Sequence, residues 1–329
     1  MASWIRCPYC LNWVEPFRLP NSGNYSCPQC KEEIYKDYVE EKRIPKASLG
    51  LVGFSGHGKT CYLTSLFYLF KALIGQYRIW NEFSWLSFDR YTDELLYKKT
   101  KDFEESTLPQ ASPSNFPKPA LIGFYKIPFM GDYFLSFYDT AGAVYENENT
   151  IRDIGRFVAY SEVVLFIISL DDIKYNHDEA YRLLNIYIRG VRGALNINLK
   201  RRQHLIVVLS KGDVLELPND IRYYLEDGSY RWYRSEDGLF LERVNLIKNI
   251  SVNIRNWFQK MVGWGFIKIA QENFKTVEFT VVSSTGAAPV GDRLATKLNP
   301  EHPKRVFDPF LLAIDKLRPL SIWEKLFWW

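Results

Sequence analysis

The sequence predicts an α/β protein: a mostly parallel sheet flanked by helices, preceded by a small unit built on cysteines. Three observations predict it. From residue 47 onward, short apolar runs alternate with segments of helical spacing, the pattern of strands joined by crossover helices. Val163 to Leu170 and Leu205 to Leu209 are apolar runs of strand length, as in strands covered on both faces. Four of the five cysteines fall in two close pairs within the first 30 residues.

Residues 1 to about 40 read as a separate unit, short and rich in Pro, Asn and Tyr. The charged stretch Lys36 to Lys46 reads as a linker or a short helix. Ala47 to Val52 is strand-like. Thr60 to Ile74 carries Leu63, Leu66, Phe67, Phe70 and Ile74 at helical spacing. Ala120 to Ile127 and Tyr133 to Tyr138 are strand-like, and Met130-Gly131-Asp132 between them makes a hairpin. Further helices are predicted over Asp178 to Val191 and Leu241 to Val262, and a further strand over Thr276 to Val282. A last helix opens with Asp308 as N-cap and Pro309 at its first position. The division is therefore 1–40, 46–318 with an insertion at about 215–264, and an aromatic tail at 319–329.

Composition excludes little else. Over 329 residues, 47% hydrophobic and 24% charged content is that of an ordinary globular protein. A net charge of +4 is too weak a bias to argue nucleic-acid binding. No stretch approaches the ~18 apolar residues of a spanning helix. Residues 1 to 15 contain Cys, Pro, Asn and Glu where a secretory signal needs an apolar core. The expectation is a cytoplasmic protein with reduced thiols, so the paired cysteines read as metal ligands.

Gly53-Phe54-Ser55-Gly56-His57-Gly58-Lys59-Thr60 matches G-x-x-x-x-G-K-[ST] between a predicted strand and a predicted helix. Gly53, Gly56 and Gly58 let the backbone wrap closely round phosphate oxygens. The amides from Gly56 to Thr60 point to the N-terminus of the following helix, a ready anion site. Lys59 neutralises β and γ phosphates, and the Thr60 hydroxyl takes one Mg²⁺ position. Ser55, His57 and Cys61 complete the loop and its exit. His57 reads as a lid or packing side chain, with a catalytic base as the other reading; Cys61 reads as a small buried helix residue.

Three later segments bear on the nucleotide. Asp139-Thr140-Ala141-Gly142 follows a strand; Asp139 can hold the Mg²⁺ shell and the Gly142 amide can meet a γ-phosphate. Ser210-Lys211-Gly212-Asp213 follows another; Asp213 can accept from guanine N1 and N2, which adenine does not offer, and the Lys211 stem can cover the base. Ser283-Ser284-Thr285 follows a third, where a backbone amide can meet guanine O6.

GFSGHGKT, DTAG, SKGD and SST, in that order and each after a strand, resemble the translation-factor-related, Ras-like class of P-loop GTPases. The resemblance spans roughly residues 46 to 318. It implies a G domain that binds GTP and GDP with Mg²⁺, hydrolyses GTP, and signals to a protein effector through its switch regions. Ser210 stands where the family usually has Asn, which predicts weaker bracing of the loop. The family's switch I threonine is assigned to Thr107, with Ser114 in reserve, in the long stretch between Thr60 and Asp139. Ala143 stands where many members carry a water-orienting Gln, so intrinsic hydrolysis is expected to be slow, with Glu146 or His57 as substitutes. A nucleotide-dependent binding module with negligible hydrolysis is the alternative.

Cys7-Pro8-Tyr9-Cys10 and Cys27-Pro28-Gln29-Cys30 have the spacing of a tetrahedral structural Zn²⁺ site, and the unit looks like a zinc ribbon. Trp13, Phe17, Arg6 and Arg18 suit protein docking, nucleic-acid binding or plain packing. Joined to such a G domain, and with Thr107-Leu108-Pro109, the ribbon resembles GTPases of bacterial defence and conflict systems. The insertion reads as a partner surface or as an extra packed helix pair. The tail, ending Phe327-Trp328-Trp329, reads as a segment packed on the domain, or as an anchor for a membrane interface or protein partner.

Overall fold

The computed structural model describes residues 4–74, 80–110, 118–153, 155–196, 198–228, 240–291, 293–294 and 297–318. Its first part contains β1 (Ile5–Arg6), β2 (Trp13–Val14), β3 (Phe17–Arg18), β4 (Tyr25–Ser26), β5 (Glu33–Ile34) and α1 (Lys36–Glu40). There follow β6 (Lys46–Val52), α2 (Lys59–Leu73), β7 (Ser84–Ser87), α3 (Arg90–Glu104), β8 (Ala120–Ile127), β9 (Gly131–Tyr138) and a 3-10 turn at Gly142–Tyr145. Next come α4 (Glu148–Asp153), α5 (Arg156–Tyr160), β10 (Val163–Ser169), α6 (Leu170–Tyr175), α7 (Glu179–Leu195), α8 (Leu199–Arg202) and β11 (His204–Ser210). The last elements are α9 (Asn219–Glu226), α10 (Phe240–Val262), α11 (Trp264–Asn273), β12 (Thr276–Val281) and α12 (Phe307–Leu317).

The main sheet runs β12-β11-β10-β6-β9-β8-β7. Its first five strands are mutually parallel, and β8 is antiparallel to both β9 and β7. The β8–β9 pairing, Ile127 opposite Gly131 at its turn, is the expected hairpin; Gly131 has φ +86°, which suits it to the tight reversal. Every residue of β10 and β11 is buried, because helices cover both faces. One face packs Leu49, Leu165 and Val208 under α2 and α12, with Val244 and Ile247 of α10. The other packs Phe166, Val207 and Phe279 under α7 and α11, with Phe258 of α10.

The cysteine unit completes that second layer. Over β8 and β9 its place is taken by Tyr38 and Val39 of α1 with Tyr9 and Ile34, which share a buried cluster with Phe88, Leu121 and Phe134. The unit is therefore packed on the sheet. Phe134 faces it because side chains alternate along β9: Leu135 and Phe137 belong to the opposite face.

Other expectations change. The long stretch to which the switch I threonine is assigned holds an edge strand and a 15-residue helix, α3, capped by Asp89 accepting from the Thr92 amide. Ser114 lies outside the described residues. Asp308 is not the N-cap of the last helix; that position is Val306, and Asp308 is buried, accepting from the Tyr224 hydroxyl at 2.5 Å. Of the two readings of the insertion, the described part fits packed helices, since Ile221, Leu225, Ile254 and Phe258 are buried. Its helix stops at Gly263 (φ +82°), and α11 starts afresh beyond it. The tail 319–329 lies outside the described residues. Among the described residues no helix is long and apolar enough to cross a membrane.

Candidate functional site

Parallel strands present their C-terminal ends along one edge, and in open α/β sheets ligands bind there, where strand order reverses. That edge carries nearly every residue singled out above. The glycine-rich loop follows β6, Asp139 follows β9, Ser210 to Asp213 follow β11, and Ser283 to Thr285 follow β12.

The loop needs its glycines for two different reasons. Gly56 and Gly58 sit at φ +78° and +84°, with Gly58 capping α2 in the left-handed region. Gly53 instead lies against β10, where a methyl group would meet the Ile167 carbonyl oxygen at 2.5 Å. Lys59 is buried and donates to the Gly53 and Phe54 carbonyls at 2.8 and 3.0 Å. Burial brings its amine down to about 8, opposed by Asp139 and Glu146. The loop is thus closed round its own ammonium.

Thr60 and Asp139 meet directly: the Thr60 hydroxyl donates to Asp139 Oδ2 at 3.2 Å. A third group joins them that sequence reasoning missed. Lys99 of α3 donates to the same oxygen at 3.2 Å. One hydroxyl and one carboxylate facing each other are oxygen donors of the kind a magnesium-sized cation takes while keeping most of its waters. Gly142 lies on the loop itself: a methyl there would stand 1.9 Å from the Ser55 nitrogen and 2.2 Å from the Phe54 carbonyl carbon. Ser55 stays exposed.

His57 is buried inward, with Nδ1 3.0 Å from the Ile167 carbonyl and Nε2 3.5 Å from Asp172. Burial lowers its pKa to about 4, so the ring is neutral near pH 7, with Nδ1 able to donate to the Ile167 carbonyl. This is packing chemistry; the lid and base readings find no support in its geometry. Ser210 reaches the glycine-rich loop. Its hydroxyl donates to the His57 carbonyl at 2.7 Å and lies 3.3 Å from that of Ile168.

Beyond the loop, Gly56, Gly58 and Cys61 form one wall of a cavity of about 280 Å³. Ser210, Lys211, Asp213 and Val214 form the second, and Ser284, Thr285 and Ala287 to Pro289 the third; Leu108 closes it. Lys211 adopts φ +57°, and the Gly212 amide donates to the Val282 carbonyl at 2.9 Å, which together turn Asp213 into the cavity rim. Burial raises the Cys61 thiol to about 11. Ser283 is displaced from its expected role: its amide donates to the Lys304 carbonyl and its hydroxyl accepts from the Gly286 amide. Ser284 and Thr285 line the cavity instead, with the Ser284 carbonyl accepting from Ser65 at 2.6 Å.

Thr107 is fixed by its backbone. Its amide donates to the Asp102 carbonyl, and it bridges Arg293, so this segment forms cavity wall through Leu108. The cation beside Asp139 is Lys99.

The four cysteines form a second constellation. Their sulfurs all lie within 4.8 Å of one another, with Cys7–Cys30 at 3.7 Å and Cys10–Cys27 at 3.8 Å. The two knuckles match bond for bond. Leu11 donates to Cys7 O and Cys7 to Asn12 O; Lys31 donates to Cys27 O and Cys27 to Glu32 O. Leu11 and Lys31, each just after a second cysteine, have φ +66° and +63°. The chain thus builds a buried four-cysteine cluster able to coordinate a metal ion. Burial holds the Cys7 thiol well above its ordinary range and raises Cys30 to about 11, so these are poor thiolates until a cation compensates them. Tyr9 within the first knuckle donates to Asp89 at 2.7 Å, and the Tyr138 hydroxyl donates to the Pro8 carbonyl. Of the docking residues considered, Arg6 packs over the Tyr160 ring at 4.0 Å, whereas Trp13 and Phe17 stay exposed. No protein-family model matches this chain, and no curated protein matches it either.

Proposed function

We propose that the chain binds a guanine nucleotide with Mg²⁺ at the strand-end site and hydrolyses GTP slowly, as a switch read by a protein partner. The observation that carries the reading is the cavity of about 280 Å³ shared by Gly56 and Gly58, Lys211 and Asp213, and Ser284 and Thr285. Three segments far apart in sequence, each chosen for one part of a nucleotide, line one hollow beside Lys59.

In this reading the loop amides and Lys59 hold the phosphates, exchanging the Gly53 and Phe54 carbonyls for phosphate oxygens. Thr60 and Asp139 supply oxygen ligands to Mg²⁺, whose charge neutralises the β and γ phosphates. Asp213 accepts from the guanine N1 and N2 groups, the Lys211 stem covers the base, and Ser284 and Thr285 border its O6 edge. Gly142, in backbone contact with Ser55, shifts when a phosphate enters between them; that shift is what a partner reads. Hydrolysis is slow because Ala143 cannot orient water and His57 is turned inward; Glu146, exposed and near Lys59, is the remaining polar group of that turn. The four cysteines hold Zn²⁺, which tetrahedral thiolate sets favour.

Calorimetry with GTP and ATP tests the base preference. GTP is expected to bind and ATP not, Lys59→Ala to abolish binding, and Asp213→Asn to move preference toward xanthine nucleotides. Equal affinity for ATP, or full GTP selectivity in Asp213→Asn, would overturn the assignment. Multiple-turnover phosphate release then separates an enzyme from a binding module that does not hydrolyse.

A further inference from the structure

The Asp139 carboxylate has a cation of its own. Lys99 lies in the middle of α3 and reaches Asp139 Oδ2 at 3.2 Å, on the oxygen that also accepts from Thr60. The pair is withdrawn from solvent, with side chains 14% and 7% exposed. Lys99 is also held in place from both sides. Its neighbour Thr100 is buried and accepts from Lys71 of α2 at 2.6 Å, and Phe103, one turn on, is fully buried with Leu294 and Leu298. A lysine so placed is a fixture of the site, unlike a surface side chain that meets a carboxylate in passing.

An ammonium hydrogen-bonded to Asp139 already neutralises much of the carboxylate's charge and repels a divalent ion brought to about 2.0–2.1 Å from the same group. The two cations compete for the same carboxylate. We propose that Lys99 is a built-in competitor for the divalent ion at Thr60 and Asp139, and that the ion enters only when a nucleotide's terminal phosphate gives Lys99 another anion. Lys99 is thus a positioning and specificity residue: it makes divalent-ion affinity depend on how many phosphates are bound. The dependence on phosphate rests on the nucleotide reading above; the competition between Lys99 and a divalent ion stands on the geometry alone.

The test is a Mn²⁺ titration followed by electron paramagnetic resonance. Mn²⁺ is a hard cation that thiolate sites do not select, so the full chain is used with its cysteine unit intact. Wild type, Lys99→Met and Lys99→Arg are compared without nucleotide, with GDP, and with a non-hydrolysable GTP analogue. Without nucleotide, Lys99→Met is expected to bind Mn²⁺ about tenfold more tightly than wild type, the fold-change for losing an interaction of about 1.4 kcal/mol. Lys99→Arg should stay as weak as wild type, and Asp139→Asn in the Lys99→Met background should remove the gain. With the triphosphate analogue the gap between Lys99→Met and wild type should close; with GDP it should persist. Equal Mn²⁺ affinity in nucleotide-free wild type and Lys99→Met overturns the proposal, as does a gain that survives Asp139→Asn. Wild type that binds no guanine nucleotide overturns the nucleotide reading instead, while the nucleotide-free titration still decides on Lys99. Circular dichroism checks the fold of each variant, and Lys99→Gln, closer in polarity, stands in if Lys99→Met does not fold.

Discussion

Replacing Gly142 with alanine adds one methyl group at the point where the Asp139–Gly142 segment meets the glycine-rich loop. That methyl would stand 1.9 Å from the Ser55 nitrogen, 2.2 Å from the Phe54 carbonyl carbon and 2.5 Å from the Ser55 α-carbon. Comfortable carbon contacts are roughly 3.5–4.0 Å, so the two backbones must part by about 1.5–2 Å. Neither side can yield at a side-chain tip, because all three contacts are main chain. The loop is anchored by Phe54, buried beneath Arg182, and by His57; the other segment is anchored by Tyr145, whose hydroxyl donates to the Leu51 carbonyl at 2.8 Å. Overpacking of this kind costs about 1–3 kcal/mol, against a total stability of about 5–15 kcal/mol. Urea unfolding of Gly142→Ala should show that loss, and GTP affinity should fall about tenfold or more because the phosphate-side loop is displaced. Gly193→Ala is the control, since a methyl there meets nothing within 4 Å, and alanine should raise helix stability by about 0.5–1 kcal/mol. A Gly142→Ala protein within about 0.5 kcal/mol of wild type, with unchanged affinity, would refute the close backbone contact.

Ser210→Ala removes the hydroxyl that serves the buried His57 carbonyl and should cost about 1–3 kcal/mol, read by thermal unfolding. The Lys59 amine, at about 8 in the free protein, should regain its ordinary range on meeting phosphate, so above pH 8 the complex takes up about one proton and affinity falls by up to about tenfold per pH unit. Calorimetry in two buffers of different ionisation enthalpy measures that uptake. For folding, the unfolded lysine keeps its proton up to about 10.4, so the same group makes stability rise with pH between about 8 and 10.4, and a urea series across that window checks the sign. Chelating the metal, or Cys27→Ser, should lower the main unfolding transition and not merely loosen the cysteine unit. Phe88, Leu121 and Phe134 lose their cover, each worth roughly 1.5–3 kcal/mol when fully buried. A melting curve of the sheet that does not move would show the unit to be independent.

The strands, α2 and the cysteine cluster were legible because their signals are local: apolar runs, helical spacing, glycines at fixed offsets and paired cysteines. What escaped was set by partners distant in sequence. Within α3, Lys98, Lys99 and Lys101 look alike; only the burial of Leu96, Thr100 and Phe103 turns Lys99 to Asp139. The Asp89 cap was a readable local sign of that helix. Thr107 was placed by chain order alone, and its bridge to Arg293 could not be inferred from spacing. Within Ser283-Ser284-Thr285, spacing could not tell that the Lys304 carbonyl takes the Ser283 amide and leaves Ser284 and Thr285 to the cavity. Docking of the cysteine unit depends on pairs such as Tyr9 with Asp89, 80 residues apart, which no local pattern encodes.

That docking has a consequence for how the chain is made. Synthesis delivers Tyr38 and Val39 long before Phe134, against which they are buried. At about 5–20 residues per second, the intervening stretch takes roughly 5–20 seconds to emerge. Through that interval the cysteine unit has two-residue strands, one short helix and an uncovered apolar face, too little to hold itself together unless a metal ion joins its four cysteines. An ion held there, as proposed above, would best be loaded before the sheet exists. A nascent chain starved of the ion would present that face to chaperones or to other nascent chains, and the β8–β9 hairpin would arrive to find no partner in place.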